Sequence, residues 1–168
     1  MLSPHEMLPL FELPEAGGKK VSVWDYKGKR NLVLFFVHPD CQKCRDMLGE
    51  LAQAYREVLS QEAEVLAIVP ASPGEIARLK QQLSLPFPLL ADEKGEVFRS
   101  YGAVDSNDRP SAAVVIADRF GEIYAFSLAT AEHKLMSVKD IIDFFAFISI
   151  QCPECGAPEW PIEGSNRG

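Results

Sequence analysis

The chain lacks any run of about 18 consecutive apolar residues, the length a spanning helix needs, so none is expected in its 168 residues. Its opening, Met1-Leu2-Ser3-Pro4-His5-Glu6, lacks the basic stretch and apolar core of a signal peptide, which points to the cytoplasm. Positive charge is in deficit, with 17 Lys and Arg against 24 Asp and Glu and a net charge of −7. That balance argues against nucleic acid or a membrane surface as partner. The one basic cluster, Lys19, Lys20, Lys27, Lys29 and Arg30, reads as solvated turns. The sequence has no internal repeat, low-complexity tract, phosphate-cradling glycine loop or Ser/His/Asp grouping. Its carboxylates show no spacing that would serve acid–base catalysis.

Cysteine is scarce too, but its placement is informative. The four cysteines fall as two C-x-x-C pairs, Cys41/Cys44 and Cys152/Cys155. In a compartment where thiols are kept reduced, such pairs read as catalytic or metal-binding rather than structural. Hydrophobic residues make up 47% of the chain, enough for a sizeable core without disulfide staples. One domain over residues 1–150 is expected, followed by a Pro/Gly-containing tail over 151–168.

Leu32-Val33-Leu34-Phe35-Phe36-Val37 is a continuous apolar run, the pattern of a strand buried on both faces. Val65-Leu66-Ala67-Ile68-Val69 is a second. Between them, Cys44, Met47/Leu48, Leu51, Tyr55 and Val58/Leu59 recur at helical spacing, which gives a parallel βαβ unit. Ser72-Pro73-Gly74-Glu75 opens another helix, with Ser72 as N-cap, Pro73 at the first helical position and Glu75 closing a capping box. A Pro-rich loop follows, then a short helix from about Lys94 to Tyr101, stopped by Gly102. Ala113–Ile116 and Ile123–Leu128 read as a hairpin around Asp118-Arg119-Phe120-Gly121. Ser137 caps a last helix whose Val138, Ile141, Ile142, Phe145 and Ile148 face the sheet. Val21–Val23 and the turn near Gly17-Gly18 predict a small N-terminal hairpin. The order is that of an α/β architecture whose central mixed sheet is flanked by helices.

Cys41-Gln42-Lys43-Cys44 follows the turn His38-Pro39-Asp40 at the carboxyl end of the first buried strand, where α/β sheets place their chemistry. A helix start offers unpaired N–H groups and a partial positive charge, both favourable to a thiolate. Cys41 is therefore the expected nucleophile. Cys44, one turn on and facing inward with Leu48 and Leu51, suits the resolving role. Lys43 and Arg45 add positive charge, and Asp40 opposes it. The competing readings are a zinc half-site with His38 as third ligand, or two inert core thiols.

Phe11-Glu12-Leu13-Pro14 through Asp25-Tyr26-Lys27-Gly28-Lys29 to Leu32–Phe36 resembles the opening of the alkyl hydroperoxide reductase/thiol-specific antioxidant family. Phe87-Pro88-Leu89-Leu90-Ala91-Asp92 and Val115-Ile116-Ala117-Asp118-Arg119-Phe120-Gly121 extend the resemblance. It covers residues 8 to 128, and implies a thioredoxin fold with an N-terminal extension and thiol-based redox activity. Peroxidases of that family carry Pro-x-x-x-Thr/Ser-x-x-Cys, whose hydroxyl, with a distant Arg, positions the peroxide. Here His38 stands three residues before Cys41, and Pro39 two before it. Cys41-x-x-Cys44-Arg45 is instead similar to the thioredoxin-like disulfide reductases. Arg109 is the candidate for the distant Arg, set a few residues early.

Two redox cycles follow. In one, Cys41 attacks a disulfide-bearing protein and Cys44 resolves the mixed disulfide. In the other, Cys41 reduces a peroxide and Cys44 condenses the sulfenic acid. Each needs a thiol reductant and no cofactor. The missing hydroxyl weighs toward disulfide exchange as the main reading. A non-enzymatic redox sensor or zinc-bridged interaction module is the third. Cys152-Pro153-Glu154-Cys155-Gly156 looks like one knuckle of a zinc ribbon, a redox relay or an idle pair. His5 and His133 read as surface residues, and Trp24 and Trp160 as packing residues.

Overall fold

The computed structural model describes residues 2–130 and 134–150 of the chain. Its centre is the strand β3 (Asn31–Phe36), every residue of which is buried. Alternation along it divides the interior in two. Val33, Phe35 and Val37 face one apolar cluster, while Leu32, Leu34 and Phe36 face the other. A strand covered on both sides has no polar face to show, which is why the run in the sequence is unbroken.

Strand β4 (Ala63–Val69) pairs parallel to β3, with Val33 opposite Val65 and Phe35 opposite Ala67. On the other side β6 (Ala113–Ala117) runs antiparallel, pairing Phe36 with Ala113. The edges are β5 (Leu89–Ala91), parallel to β4, and β7 (Ile123–Leu128), antiparallel to β6. The order is β5-β4-β3-β6-β7, a mixed sheet with a parallel and an antiparallel half. The helices α1 (Gln42–Gln53), α2 (Tyr55–Ser60), α3 (Pro73–Leu83) and α5 (Val138–Ser149) cover one face through Leu48, Leu51, Val58, Ile76, Ile141 and Phe145. The other face is covered by α4 (Glu96–Ser100), through Val97 and Phe98, and by the N-terminal segment, through Leu8, Val21 and Val23. Within that segment β1 (Glu12–Pro14) and β2 (Lys20–Ser22) form the expected hairpin. This is a thioredoxin fold with an N-terminal extension.

Local structure departs from the sequence expectation in three places. The single helix expected after Cys41 is two, because Ala54 turns to φ −90°, ψ 3° and ends α1. The chain restarts as α2 with Val58 N–H on Ala54 C=O at 3.0 Å. Strand β5 lies inside the stretch read as a Pro-rich loop; at three residues it is too short to leave a pattern. The capping box at α3 is half made. Ser72 Oγ accepts the Glu75 N–H, but the Glu75 carboxylate takes the Ser72 hydroxyl instead of its backbone N–H. Ser137 caps α5 with the full reciprocal box to Asp140. Among the described residues no helix is long and apolar enough to cross a membrane.

Candidate active site

The end of β3 delivers the chain to the site. Val37 N–H still bonds to Ile68 C=O at 2.9 Å, so β4 holds the strand up to the residue before His38. The turn His38–Asp40 then folds back. His38 C=O accepts the Cys41 N–H at 3.1 Å, and His38 Nδ1 accepts the Asp40 N–H at 3.3 Å. Arg45, one helical turn after Cys41, reaches back and donates Nε–H to Pro39 C=O at 3.0 Å. The loop is thus pinned from three sides before any ligand arrives.

Cys41 is the N-cap of α1, in extended backbone at φ −92°, ψ 114°. Its C=O accepts the Arg45 N–H at 3.1 Å, and its Sγ accepts the Cys44 N–H at 3.4 Å. The sulfur therefore takes the place a Ser or Asp oxygen takes in an ordinary cap, satisfying one of the orphan donors of the helix start. The same helix end favours negative charge on that sulfur. Cys41 is half-buried and Cys44 buried, and neither is in a disulfide.

Cys44 is 1% exposed and belongs to the apolar cluster that also holds Met47, Leu48 and Leu51 of the same helix. Burial first, and then a side-chain hydrogen bond with Cys41, push its thiol up to about 12, with the backbone of His38 working the other way. At neutral pH Cys44 is a neutral thiol. The two cysteines thus differ in the way the sequence spacing indicates: one at the opening, one beneath it.

Of the other sequence candidates, His38, Pro39 and Arg45 are brought together around Cys41 by these bonds. Arg109 is not. It is exposed, in a turn where its N–H and that of Asn107 both bond to Asp105 Oδ1 at 3.0 and 2.8 Å. Among the described residues no hydrogen bond or ion pair joins it to Cys41, Cys44 or His38. No group of three or more His, Cys, Asp or Glu among the described residues could hold a metal ion, so His38 does not complete a zinc site with Cys41 and Cys44. Cys152, Cys155, Trp160 and His133 lie outside the described residues. His5 is a surface residue, 3.5 Å from Glu122, and Trp24 packs against the second apolar cluster.

Sequence reasoning missed the groove beside the nucleophile loop. About 200 Å³ of open space is lined by Pro39 and Arg45, by Val69 and Ala71 at the end of β4, and by Ile76 and Arg78 of α3, among others. The i, i+3 spacing of Ile76 and Leu79 marked an apolar face, but only the tertiary packing shows that part of this face borders the turn before Cys41.

Residues 4–126 match the model of the AhpC/TSA family. A protein of Mycobacterium tuberculosis assigned to the peroxiredoxins, Rv2521, is 37% identical over 109 residues, 61% of this chain and 65% of that protein. Peroxiredoxin Bcp of Escherichia coli is 32% identical over 108 residues, 60% of this chain and 65% of its own length. The matched stretch thus spans just under two thirds of each of these relatives. Among solved structures, Mycobacterium tuberculosis AhpC superimposes with a TM-score of 0.78 at 19% identity, covering 89% of this chain and 94% of that one.

Proposed function

The chain belongs to the AhpC/TSA family, and on that premise we propose that it is a cysteine-based oxidoreductase that reduces peroxides, with Cys41 as nucleophile and Cys44 as resolving thiol. The observation that carries the reading is Cys41 Sγ at the cap of α1, accepting the N–H of a buried, protonated Cys44. The names of the relatives weigh toward peroxide. They reverse the order read from the sequence, where disulfide exchange came first.

The proposed cycle has three steps. The Cys41 thiolate attacks the terminal oxygen of ROOH. The O–O bond breaks, an S–O bond forms, and the peroxide's proton stays on the sulfenic oxygen, while the departing RO⁻ takes a proton from water. The Cys44 sulfur then attacks the Cys41 sulfur. The hydroxyl leaves with the Cys44 proton as water, and a Cys41–Cys44 disulfide forms. An external dithiol reduces that disulfide and is itself oxidised. The cycle belongs in a reducing compartment such as the cytoplasm, where such reductants are maintained.

Thiol–disulfide exchange is the second reading. It is favoured by His38 standing where a hydroxyl would be, and by Arg109 lying in an exposed turn. Its last step is the same, so the two differ in what Cys41 attacks and in what Cys44 then displaces. The test is single-turnover reaction of the reduced protein with hydrogen peroxide and, separately, with a protein disulfide, for wild type, Cys41→Ser and Cys44→Ser. Peroxide reactivity orders of magnitude above a free thiol, lost in Cys41→Ser, supports the peroxidase. Sluggish peroxide reaction with fast disulfide reduction, and a mixed disulfide trapped in Cys44→Ser, supports the reductase. A protein that reacts once and is not recycled by a dithiol is a sensor.

A further inference from the structure

Breaking an O–O bond puts negative charge on the departing oxygen, and a donor already aimed there lowers the barrier. The turn before Cys41 contains one side chain able to supply it. His38 Nδ1 accepts the Asp40 N–H, and a backbone N–H can only donate. The neutral ring therefore carries its proton on Nε2. Among the described residues that Nε2–H has no hydrogen-bond or ion-pair partner. The residue is half-buried, and it is tied to the nucleophile through its own C=O, which holds the Cys41 N–H. Beside it, Gln42 Nε2 donates to Asp46 at 2.8 Å, and Arg45 Nε donates to Pro39 C=O.

We propose that His38 is a catalytic hydrogen-bond donor of this site, its Nε2–H bonding the oxygen that departs from the O–O bond as Cys41 attacks. The inference rests on the peroxidase reading and assigns to that reaction a group outside the cysteine pair. The imidazole keeps its proton throughout. It stabilises RO⁻ until water protonates it, so no further co-reactant is needed. A donor to the departing oxygen differs from a group that merely activates the thiolate, because it acts only when a leaving oxygen is present.

That difference sets the experiment. Reduced wild type, His38→Ala and His38→Gln are reacted with hydrogen peroxide in single turnover, and in parallel with iodoacetamide, whose leaving group is iodide. A well-placed donor is worth up to about 10²–10³ in rate, and a half-exposed one less. His38→Ala is expected to slow the peroxide reaction by at least about tenfold while alkylation of Cys41 stays within about twofold. His38→Gln, which keeps an N–H near the Nε2 position, is expected to recover most of the loss. Equal slowing of both reactions would overturn the proposal, since His38 would then act through the thiolate or the loop. So would a His38→Ala peroxide rate within about twofold of wild type. A wild-type rate no faster than a free thiol would overturn the peroxidase reading as well, and is distinguished by the wild-type measurement alone.

Discussion

The buried thiol of Cys44 makes stability depend on pH in a calculable way. In the folded chain it holds its proton up to about 12, against the usual 9.0 that it regains on unfolding. Below pH 9 both states are protonated and the group has no effect on stability. Between 9 and 12 the unfolded chain releases a proton that the folded chain keeps, so stability falls as pH rises, by about 1.4 kcal/mol per unit. At about pH 10.5 the loss from this group is about 2 kcal/mol. Tyr26 and Tyr124, both also raised to about 12 by burial first, add losses of the same sign, so wild type alone does not isolate the cysteine. The assay is urea unfolding of reduced wild type and Cys44→Ala at about pH 8 and pH 10.5. Cys44→Ala costs stability at both pH values by removing a packed side chain, and only the difference between them is used. The wild-type midpoint is expected to fall by about 1 M urea more than that of the variant. Equal falls would refute the protonated, buried Cys44 on which the division of labour between the two cysteines stands.

Asn31 is 5% exposed and joins two loops at the other end of β3, accepting the Arg119 N–H at 3.0 Å and donating to Gln61 C=O at 3.3 Å. Asn31→Ala is expected to cost about 2 kcal/mol by stranding both groups, seen as a lower thermal midpoint, with the Cys41 alkylation rate unchanged. Ser137→Ala removes the reciprocal cap of α5 and is expected to cost about 1 kcal/mol in urea unfolding. Of the three readings of the second cysteine pair, zinc knuckle, redox relay and idle pair, metal content separates the first from the other two. For a zinc knuckle, elemental analysis of the reduced full chain should find zinc, a thiol reagent should release it, and Cys152→Ser should abolish it; metal-free protein would remove the zinc reading.

The parts of the fold that were legible in the sequence are those where a physical demand repeats. β3 and β4 lie under both layers, so Leu32–Val37 and Val65–Val69 are unbroken apolar runs. Ser72, Pro73 and Ser137 mark helix starts because orphan N–H groups need those residue types. Cys41 and Cys44 were placed by the same logic, an inward-facing position one turn after a cap. What escaped depended on contacts far along the chain. The break at Ala54 has no Gly or Pro to announce it. β5 exists because β4 offers an edge for Leu89–Ala91 to pair with. The exposure of Arg109 follows from the Asp105 turn, whereas an alignment of spacings placed that arginine near the site. The Asp40 bond that fixes the His38 proton on Nε2 requires the actual turn geometry.

The account turns on Cys41 taking the oxygen and Cys44 removing it, and trapping the intermediate tests this most directly. Reduced Cys44→Ser is treated with one equivalent of hydrogen peroxide in the presence of dimedone, and the adduct is located by peptide mass. A single adduct on Cys41, absent in wild type because Cys44 closes the disulfide first, is the predicted result. An adduct on wild-type Cys41 of equal yield, or none in the variant, would contradict it.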